Sequence, residues 1–170
     1  MPVMIEYLLI HLFNHSGNYR MVIFFERTAK MFCDIKNQMD NLKIKQIMAA
    51  CVFDNSSKGM DQVKSDYQRH SSWQLWGWFE NDIITGVCGF EEHPDWVEIL
   101  HIAVAEDARG LGIGSKMIKA LAAQYKKTIE AETDDDAVDF YRKCGFEAMA
   151  ISKYDVRRWT CVLPVSKFLN

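Results

Sequence analysis

The part of the sequence best equipped for chemistry is a glycine-rich segment over residues 105–116, which reads A-E-D-A-R-G-L-G-I-G-S-K. Gly110, Gly112 and Gly114 alternate there, and Arg109 precedes them. Glycine tolerates positive φ and lets the backbone approach a ligand closely. A following helix offers first-turn N–H groups without internal partners, and arginine adds a fork of donors for phosphate oxygens. The segment is therefore typical of a phosphate-binding turn.

Three known phosphate-binding patterns can be compared with this segment. The P-loop requires G-x-x-x-x-G-K-[ST], but Gly110 to Gly114 is one residue too short and Ser115 precedes Lys116. The Rossmann pattern requires G-x-G-x-x-G, whereas the spacing here is G-x-G-x-G. The third pattern, [RQ]-x-x-G-x-[GA] after a strand, is matched without a gap by Arg109, Gly112 and Gly114. A plain strand-to-helix turn is the remaining alternative, and it gives no reason for three glycines beside an arginine.

Two segments of the chain resemble signatures of one enzyme superfamily. Residues 98–114, E-I-L-H-I-A-V-A-E-D-A-R-G-L-G-I-G, resemble the acetyl-CoA-binding signature of the GNAT superfamily of N-acetyltransferases. Residues 137–146, A-V-D-F-Y-R-K-C-G-F, resemble its second signature, A-x-x-F-Y-x-x-x-G-F. The likeness extends over about residues 73–163, and loosely from about residue 43. The resemblance implies an N-acetyltransferase in which acetyl-CoA donates its acetyl group to a primary amine by direct attack.

The resemblance also implies a site for acetyl-CoA. Backbone groups of Ile102, Ala103 and Val104 would pair with the pantetheine arm, and the strand of residues 128–133 would splay from its neighbour to leave a slot. Asp134 stands where the family often has an asparagine that contacts the cofactor, although aspartate lacks the amide donor. The diphosphate would lie on backbone N–H groups of the glycine turn, supplied by Arg109, Gly110, Leu111, Gly112, Ile113, Gly114 and Ser115.

The same resemblance gives candidates for proton transfer. Tyr141 lies where the family frequently has its general acid, and a phenol with a pKa near 10 suits a departing thiolate; a core aromatic is the alternative. Glu98 resembles the catalytic glutamate of the histone-type members, and His101 is a second candidate base. Three residues apart on one strand, these two point to opposite faces, so at most one faces the cleft. A solvent-facing glutamate and a hydrogen-bonded core histidine are their alternatives. The backbone N–H of Val104 is a candidate donor to the oxyanion.

Strand and helix patterns in the sequence show which elements position these residues. Helical spacing of Phe25, Ala29, Phe32, Ile35 and Met39 predicts a helix over residues 25–39, while residues 43–53 fit either helix or strand. Further helices are predicted near residues 60–67 and over 115–126 and 135–144. Strands are predicted over residues 19–25, 73–79, 83–90, 97–105, 128–133, 146–152 and 157–164.

This order of elements predicts a mixed α/β fold of the α+β type, with a largely antiparallel central sheet flanked by helices. The resemblance adds a splayed parallel strand pair and the GNAT-like acyl-CoA N-acyltransferase fold. Residues 43–170 are expected to form the N-acetyltransferase domain. Residues 1–42 are expected to form an extension packed on it, either covering the sheet or making a homodimer contact.

Composition excludes several classes of partner. The chain has 20 Lys+Arg against 23 Asp+Glu, so no global basic excess exists to bind nucleic acid. The apolar run Val3–Phe13 contains Glu6 and His11 and is too short for a bilayer span, which needs about 20 residues. It does not fit a signal peptide either, and a buried strand or helix is expected. Five scattered cysteines form no CxxC pair and no cluster with histidine, so we expect reduced thiols, a cytoplasmic protein and no metal.

The acceptor is expected to be a small-molecule or peptide amine. Six acidic residues between positions 130 and 139, with no basic residue among them, would attract a cationic amine; a solvated charged face is the plainer interpretation. Two other functions stay open: a non-catalytic acyl-CoA-binding or regulatory module on the same fold, and a nucleotide-binding protein. The acidic residues are Glu130, Glu132, Asp134, Asp135, Asp136 and Asp139.

Overall fold

A computed structural model describes the backbone of residues 7–13, 19–25, 30–153 and 156–168, and the side chains of residues 30–152 and 156–166. The chain divides into two compact units, the first made of residues 1–89 and 101–114 and the second of residues 90–100 and 115–170. No helix in these described ranges is long and apolar enough to cross a membrane.

The first unit is built on strands in the order β1-β2-β3-β4-β5-β6. Strands β1 (Tyr7–Phe13), β2 (Tyr19–Phe25), β3 (Lys30–Asp34) and β4 (Trp73–Glu80) pair antiparallel in that order. A two-residue turn at Asn81 and Asp82, both with positive φ, leads into β5 (Ile83–Glu92). That backbone matches the twist of a hairpin, so the predicted β4–β5 hairpin is confirmed. Residues 3–6 of the apolar run lie outside the described residues, and the rest of the run, Tyr7–Phe13, is β1.

The helix predicted over residues 25–39 is wrong, because its centre is strand β3. Phe32 is fully buried, and its ring packs on the rings of Trp76 and Trp78 of β4 at centroid distances of 5.1 and 5.8 Å. The three consecutive apolar residues of β3, Met31–Cys33, do not distinguish a helix from a strand, and contact with an aromatic neighbouring strand decides for β structure. The chain then makes a 3-10 turn at Lys36–Gln38.

Two capped helices connect β3 to β4. Helix α1 (Leu42–Met48) begins after Asn41, whose side chain accepts hydrogen bonds from the N–H groups of Lys43 and Ile44. Helix α2 (Ser57–Arg69) begins after Ser56, whose hydroxyl accepts from the N–H of Gly59. Such caps satisfy first-turn N–H groups that lack internal acceptors, and they explain why the ambiguous region from residue 43 is helical.

The second unit has the strand order β6-β7-β9-β8. Strand β6 (Trp96–Val104) and helix α3 (Ile113–Tyr125) each run through both units. They are followed by β7 (Thr128–Thr133), α4 (Val138–Lys143), β8 (Glu147–Lys153) and β9 (Val156–Leu163). Strand β7 pairs parallel with β6 and antiparallel with β9, which pairs antiparallel with β8. The predicted fold class, a mixed and largely antiparallel sheet with one parallel pair and flanking helices, is confirmed.

Candidate active site

The glycine turn joins β6 to α3 and is open. After a 3-10 turn at Glu106–Ala108, residues 109–112 are exposed and α3 begins at Ile113. Gly110 and Gly112 have φ of 78° and 73°, a conformation that favours glycine. A Cβ built at either glycine would meet no other atom within 4 Å, so the backbone is accessible from outside. This turn and the N–H groups of the α3 first turn, which a helix leaves without internal acceptors, suit a diphosphate.

Strand β6 continues past the end of its parallel pairing. The ladder joins Trp96–Ile99 to Thr128–Ala131, and β6 then extends to Val104. Ile102, Ala103 and Val104 therefore follow the last paired residue of β6. Backbone groups without a strand partner on one side are suited to pair with an extended ligand, as an edge strand does.

A cleft of about 670 Å³ lies in the first unit next to the end of β6. The Lys43 ammonium and the Asp107 carboxylate in its wall lie 3.8 Å apart. The Arg109 side chain turns back to β6, where its Nε donates a hydrogen bond of 3.4 Å to the Val104 carbonyl. The cleft is lined by one segment of α1 and one beyond β6, namely Lys43, Gln46, Ile47, Ala49, Ala50, Val104, Ala105, Glu106, Asp107 and Arg109.

His101 is held by a residue that sequence analysis missed. The Tyr67 hydroxyl of α2 and His101 Nδ1 lie 2.9 Å apart, and Tyr67 is fully buried. Gly89 leaves the space for this contact, since a Cβ there would come within 1.7 Å of the Tyr67 hydroxyl oxygen. Burial lowers the pKa of the His101 imidazole, with Asp66 opposing this weakly, so the ring is neutral at pH 7. No motif marks Tyr67, because it lies 34 residues from His101 in sequence.

Glu98 belongs to a different group of side chains. Its carboxylate lies 3.5 Å from His93 Nε2, and its side chain is 44% exposed. The two candidate bases therefore differ in surroundings, since His101 is anchored by a buried phenol and Glu98 faces an imidazole near the surface.

The second unit carries Tyr141, the fifth residue of the second sequence signature. Tyr141 lies in α4, is 5% exposed, and has edge-on ring contacts with Phe140 and Phe146 at 5.1 and 5.2 Å. Burial raises the pKa of the nearby Cys144 thiol, against a weaker opposing effect of a hydrogen bond with Ser115. The thiolate form of Cys144 is thus disfavoured, which argues against a covalent acyl-enzyme at this residue.

Asp134 starts the turn that precedes α4. Its Oδ1 accepts hydrogen bonds of 3.1 Å from the N–H groups of both Asp136 and Ala137. This turn occupies residues 135–137, so α4 is shorter than the predicted 135–144 helix. The Asp134 side chain therefore stabilises the turn before α4 through its own hydrogen bonds.

The acidic run is partly neutralised by arginines from outside it. Asp135 receives a two-pronged contact from Arg157, at 2.9 Å each from Nε and Nη2, and also a hydrogen bond from the Trp159 indole. Glu132 pairs with Arg158 and Asp139 with Arg142, at 3.2 and 2.9 Å. The run presents less uncompensated negative charge than its sequence indicates, which weakens the argument for a cationic acceptor.

Comparison with known proteins gives one consistent result. The model of the Acetyltransferase (GNAT) family matches residues 41–146. A protein described as an uncharacterized N-acetyltransferase in the lysA 3′ region of Bacillus methanolicus is 33% identical over 88 residues, which is 51% of this chain and 72% of the relative. The resemblance derived from the two signatures is confirmed.

Solved structures agree on the fold. A crystal structure assigned to the GNAT family from Desulfovibrio desulfuricans matches with a TM-score of 0.66 at 17% identity, covering 81% of this chain and 99% of the other. A GNAT family acetyltransferase from Elizabethkingia anophelis, solved with acetyl-CoA bound, matches with a TM-score of 0.53 at 20% identity, covering 70% and 88%.

Proposed function

This chain belongs to the GNAT family of acetyltransferases, and on that premise we propose that it transfers the acetyl group of acetyl-CoA to a primary amine by direct attack. The observation that carries the proposal is the open glycine turn at Gly110 and Gly112, placed between a strand that outlasts its pairing and the first turn of α3. A turn that only connected a strand to a helix would not require both glycine positions to be accessible from outside.

In this proposal the main chain does most of the binding. Ile102, Ala103 and Val104 present backbone groups to the pantetheine arm, and the N–H groups that follow Arg109, up to that of Ser115, bind the diphosphate. The N–H of Arg109 itself donates to the Glu106 carbonyl at 3.3 Å. The intervening donors belong to Gly110, Leu111, Gly112, Ile113 and Gly114. Asp134 stays a candidate contact for the cofactor, and an asparagine there would keep its turn-forming oxygen and add an amide donor.

Proton transfer is proposed to use two side chains. When bound, acetyl-CoA supplies an acetyl group activated as a thioester. His101 accepts the proton that the amine loses as its nitrogen bonds to the acetyl carbon, and it is favoured over Glu98 because it is neutral and anchored by Tyr67. Tyr141 gives its phenol proton to the sulfur as the carbon–sulfur bond breaks. The N–H of Val104 donates to the carbonyl oxygen as negative charge develops there.

The binding step is tested with two glycine variants that carry the same backbone cost. Gly112→Ala and Gly145→Ala each place a side chain at positive φ, at 73° and 93°. Gly145 follows α4 and is outside the proposed turn. Calorimetric titration with CoA is expected to lose at least about tenfold in affinity for Gly112→Ala and little for Gly145→Ala, since only the first narrows the turn. Equal affinities in the two variants would overturn the proposed diphosphate site.

Turnover is tested separately from binding. Release of free thiol from acetyl-CoA, measured against a panel of primary amines that includes peptides with free N-termini, is expected to be amine-dependent. Binding of acetyl-CoA without turnover on any amine would favour the alternative, a non-catalytic acyl-CoA-binding or regulatory module. Competition by ATP or NAD but not by CoA would instead identify a nucleotide-binding protein.

A further inference from the structure

We propose that Glu91, His93 and Glu98 form a binding site for a divalent transition-metal ion in the second unit. One ligand atom from each side chain lies within 4.8 Å of the others. The cysteine patterns considered in the sequence analysis do not cover this set, which combines one histidine with two glutamates. It serves no step of the proposed acetyl transfer as long as His101 is the base, so the inference goes beyond that function.

Two of the three distances between ligand atoms can be compared with those of a filled site. His93 Nε2 lies 3.5 Å from a Glu98 carboxylate oxygen and 4.0 Å from a Glu91 carboxylate oxygen. Metal–nitrogen and metal–oxygen bonds of about 2.1 Å at tetrahedral angles place neighbouring ligand atoms about 3.4 Å apart. The first distance already meets this requirement, and the second needs a contraction of about 0.6 Å, which a glutamate side chain can supply by rotation.

The Nε2 atom of His93 lies next to the two carboxylates of the cluster. His93 Nε2 is buried from solvent and makes no hydrogen bond. A buried nitrogen without a partner costs free energy, and a metal ion directly satisfies its lone pair. The His93 side chain as a whole is 26% exposed, but its Nε2 atom is buried and lacks a hydrogen bond, and this distinguishes the cluster from an ordinary group of surface acids.

The surrounding contacts fix the ring in position. The His93 ring stacks on Trp96 at 4.5 Å, and its backbone N–H donates 2.9 Å to the Trp96 carbonyl. Its own carbonyl accepts a 2.7 Å hydrogen bond from the Lys127 ammonium. That ammonium also pairs with Glu92 at 2.6 Å, a carboxylate that is outside the ligand set. A prepositioned histidine lowers the ordering cost of binding a metal.

The ligand set narrows the choice of metal. One imidazole nitrogen and two carboxylate oxygens suit Zn²⁺, Mn²⁺ or Co²⁺, with water completing the coordination. Glu91 lies near the end of β5 and Glu98 lies in β6, so a bound ion would cross-link the two strands on either side of residues 93–95. The expected consequence is a more stable connection between them.

The test uses the full chain after chelator treatment, with substitution of a second, comparable histidine as the control. His93→Ala removes the proposed ligand, and His70→Ala removes another histidine that also stacks on a tryptophan, Trp73, at 4.5 Å. Calorimetric titration with Zn²⁺ and Mn²⁺ is expected to show one saturable site, weakened by about 100-fold or more in His93→Ala and unchanged in His70→Ala. Absorption of the Co²⁺ form is expected to lack the thiolate charge-transfer band that the free cysteines would produce.

Three results would overturn the inference. These are no saturable heat up to about 1 mM metal, an affinity unchanged by His93→Ala, or a thiolate band in the Co²⁺ spectrum. If circular dichroism shows His93→Ala to be unfolded, the Glu91→Gln and Glu98→Gln double variant decides by the same affinity criterion. Metal binding is measured without acetyl-CoA, so its failure leaves the proposed acetyl transfer untouched.

Discussion

The residue that most directly separates binding from chemistry is Tyr141. Its ring makes edge-on contacts with Phe140 and Phe146, so the aromatic part of the side chain has a packing role that is separate from the proposed role of the hydroxyl. Tyr141→Phe preserves the ring and removes the proton donor. We expect CoA affinity to be retained and kcat to fall about 10²–10⁴-fold, because the departing thiolate must then be protonated by water.

Steady-state kinetics and calorimetry measure these two quantities on the same preparation. Tyr125→Phe is the matched control, since this tyrosine of α3 also makes an edge-on contact, with Phe90 at 5.5 Å, and has no proposed role in chemistry. An unchanged kcat in Tyr141→Phe would remove Tyr141 as the general acid and leave it as a core aromatic.

His101 makes the pH dependence of the reaction predictable in sign. Burial lowers its pKa below the usual 6.5, so the imidazole is deprotonated at neutral pH and gains a proton only as the pH falls through the lowered value. A base works in its deprotonated form, so kcat/KM, expressed per concentration of deprotonated amine, should stay flat from pH 8 down to about 6.5 and decline as the pH falls through the lowered pKa. His101→Gln should lower kcat/KM about 10²-fold and abolish that decline.

The base is identified by comparing the pH–rate profiles of the parent chain and three variants. His70→Gln, a histidine for which no catalytic role is proposed, should keep the profile of the parent chain. A decline that persists in His101→Gln but disappears in Glu98→Gln would transfer the role of base to Glu98, the other candidate of β6.

Between elements, the contact of α2 with β5 depends on one missing side chain. Tyr67 of α2 fills the space beside Gly89 of β5, where a Cβ would meet the hydroxyl oxygen at 1.7 Å and the ring carbon that bears it at 2.9 Å. Gly89→Ala should therefore lower the free energy of unfolding by about 1–3 kcal/mol, measured by urea titration. Adding Tyr67→Phe removes the nearer atom, so the double variant should recover part of the loss.

The size of that recovery is the informative quantity, because distant substitutions add and contacting ones do not. A Tyr67→Phe, Gly89→Ala double variant as unstable as the sum of the single variants would show that the two positions are uncoupled. Gly77→Ala allows the loss of stability in Gly89→Ala to be compared with that at a second buried glycine. At Gly77 the atoms that a Cβ would meet, at 2.9–3.1 Å, are all side-chain carbons, such as Ile84 Cδ1.

Some elements could be predicted from the sequence and others could not. The difference depends on how far apart in sequence the residues that determine each element lie. Strand β7 (Thr128–Thr133) and the glycine turn follow from local alternation and local backbone needs, so they were predictable. Strand β3 was not, because Phe32 is fixed by tryptophans more than 40 positions away in sequence. The start of α4 was misplaced because Asp134 stabilises a turn with its side chain.

The candidate site divides along the same line. Main-chain donors and the two signature segments are contiguous, so their positions were predicted from the sequence. The partners that set the chemistry of a side chain are not contiguous: Tyr67 beside His101, and His93 beside Glu98. Arg157 and Arg158 are likewise brought to the acidic run by β9, whereas Arg142 lies only three residues after Asp139 in α4.

For the whole molecule, acetyl-CoA binding should raise the free energy of unfolding, because a ligand that binds only the native state shifts the unfolding equilibrium. At a free concentration about 100 times Kd the gain is about 2.7 kcal/mol. For a chain of this length each kcal/mol raises Tm by about 2–4 °C, so scanning calorimetry should show a rise of roughly 5–10 °C. CoA should act similarly, since the diphosphate and pantetheine arm are common to both.

Gly112→Ala should lose most of the rise in Tm on adding acetyl-CoA, while Gly145→Ala should keep that rise, starting from a lower Tm. A shift of the same size with ATP would contradict the acetyl-CoA assignment and favour a nucleotide site at the glycine turn.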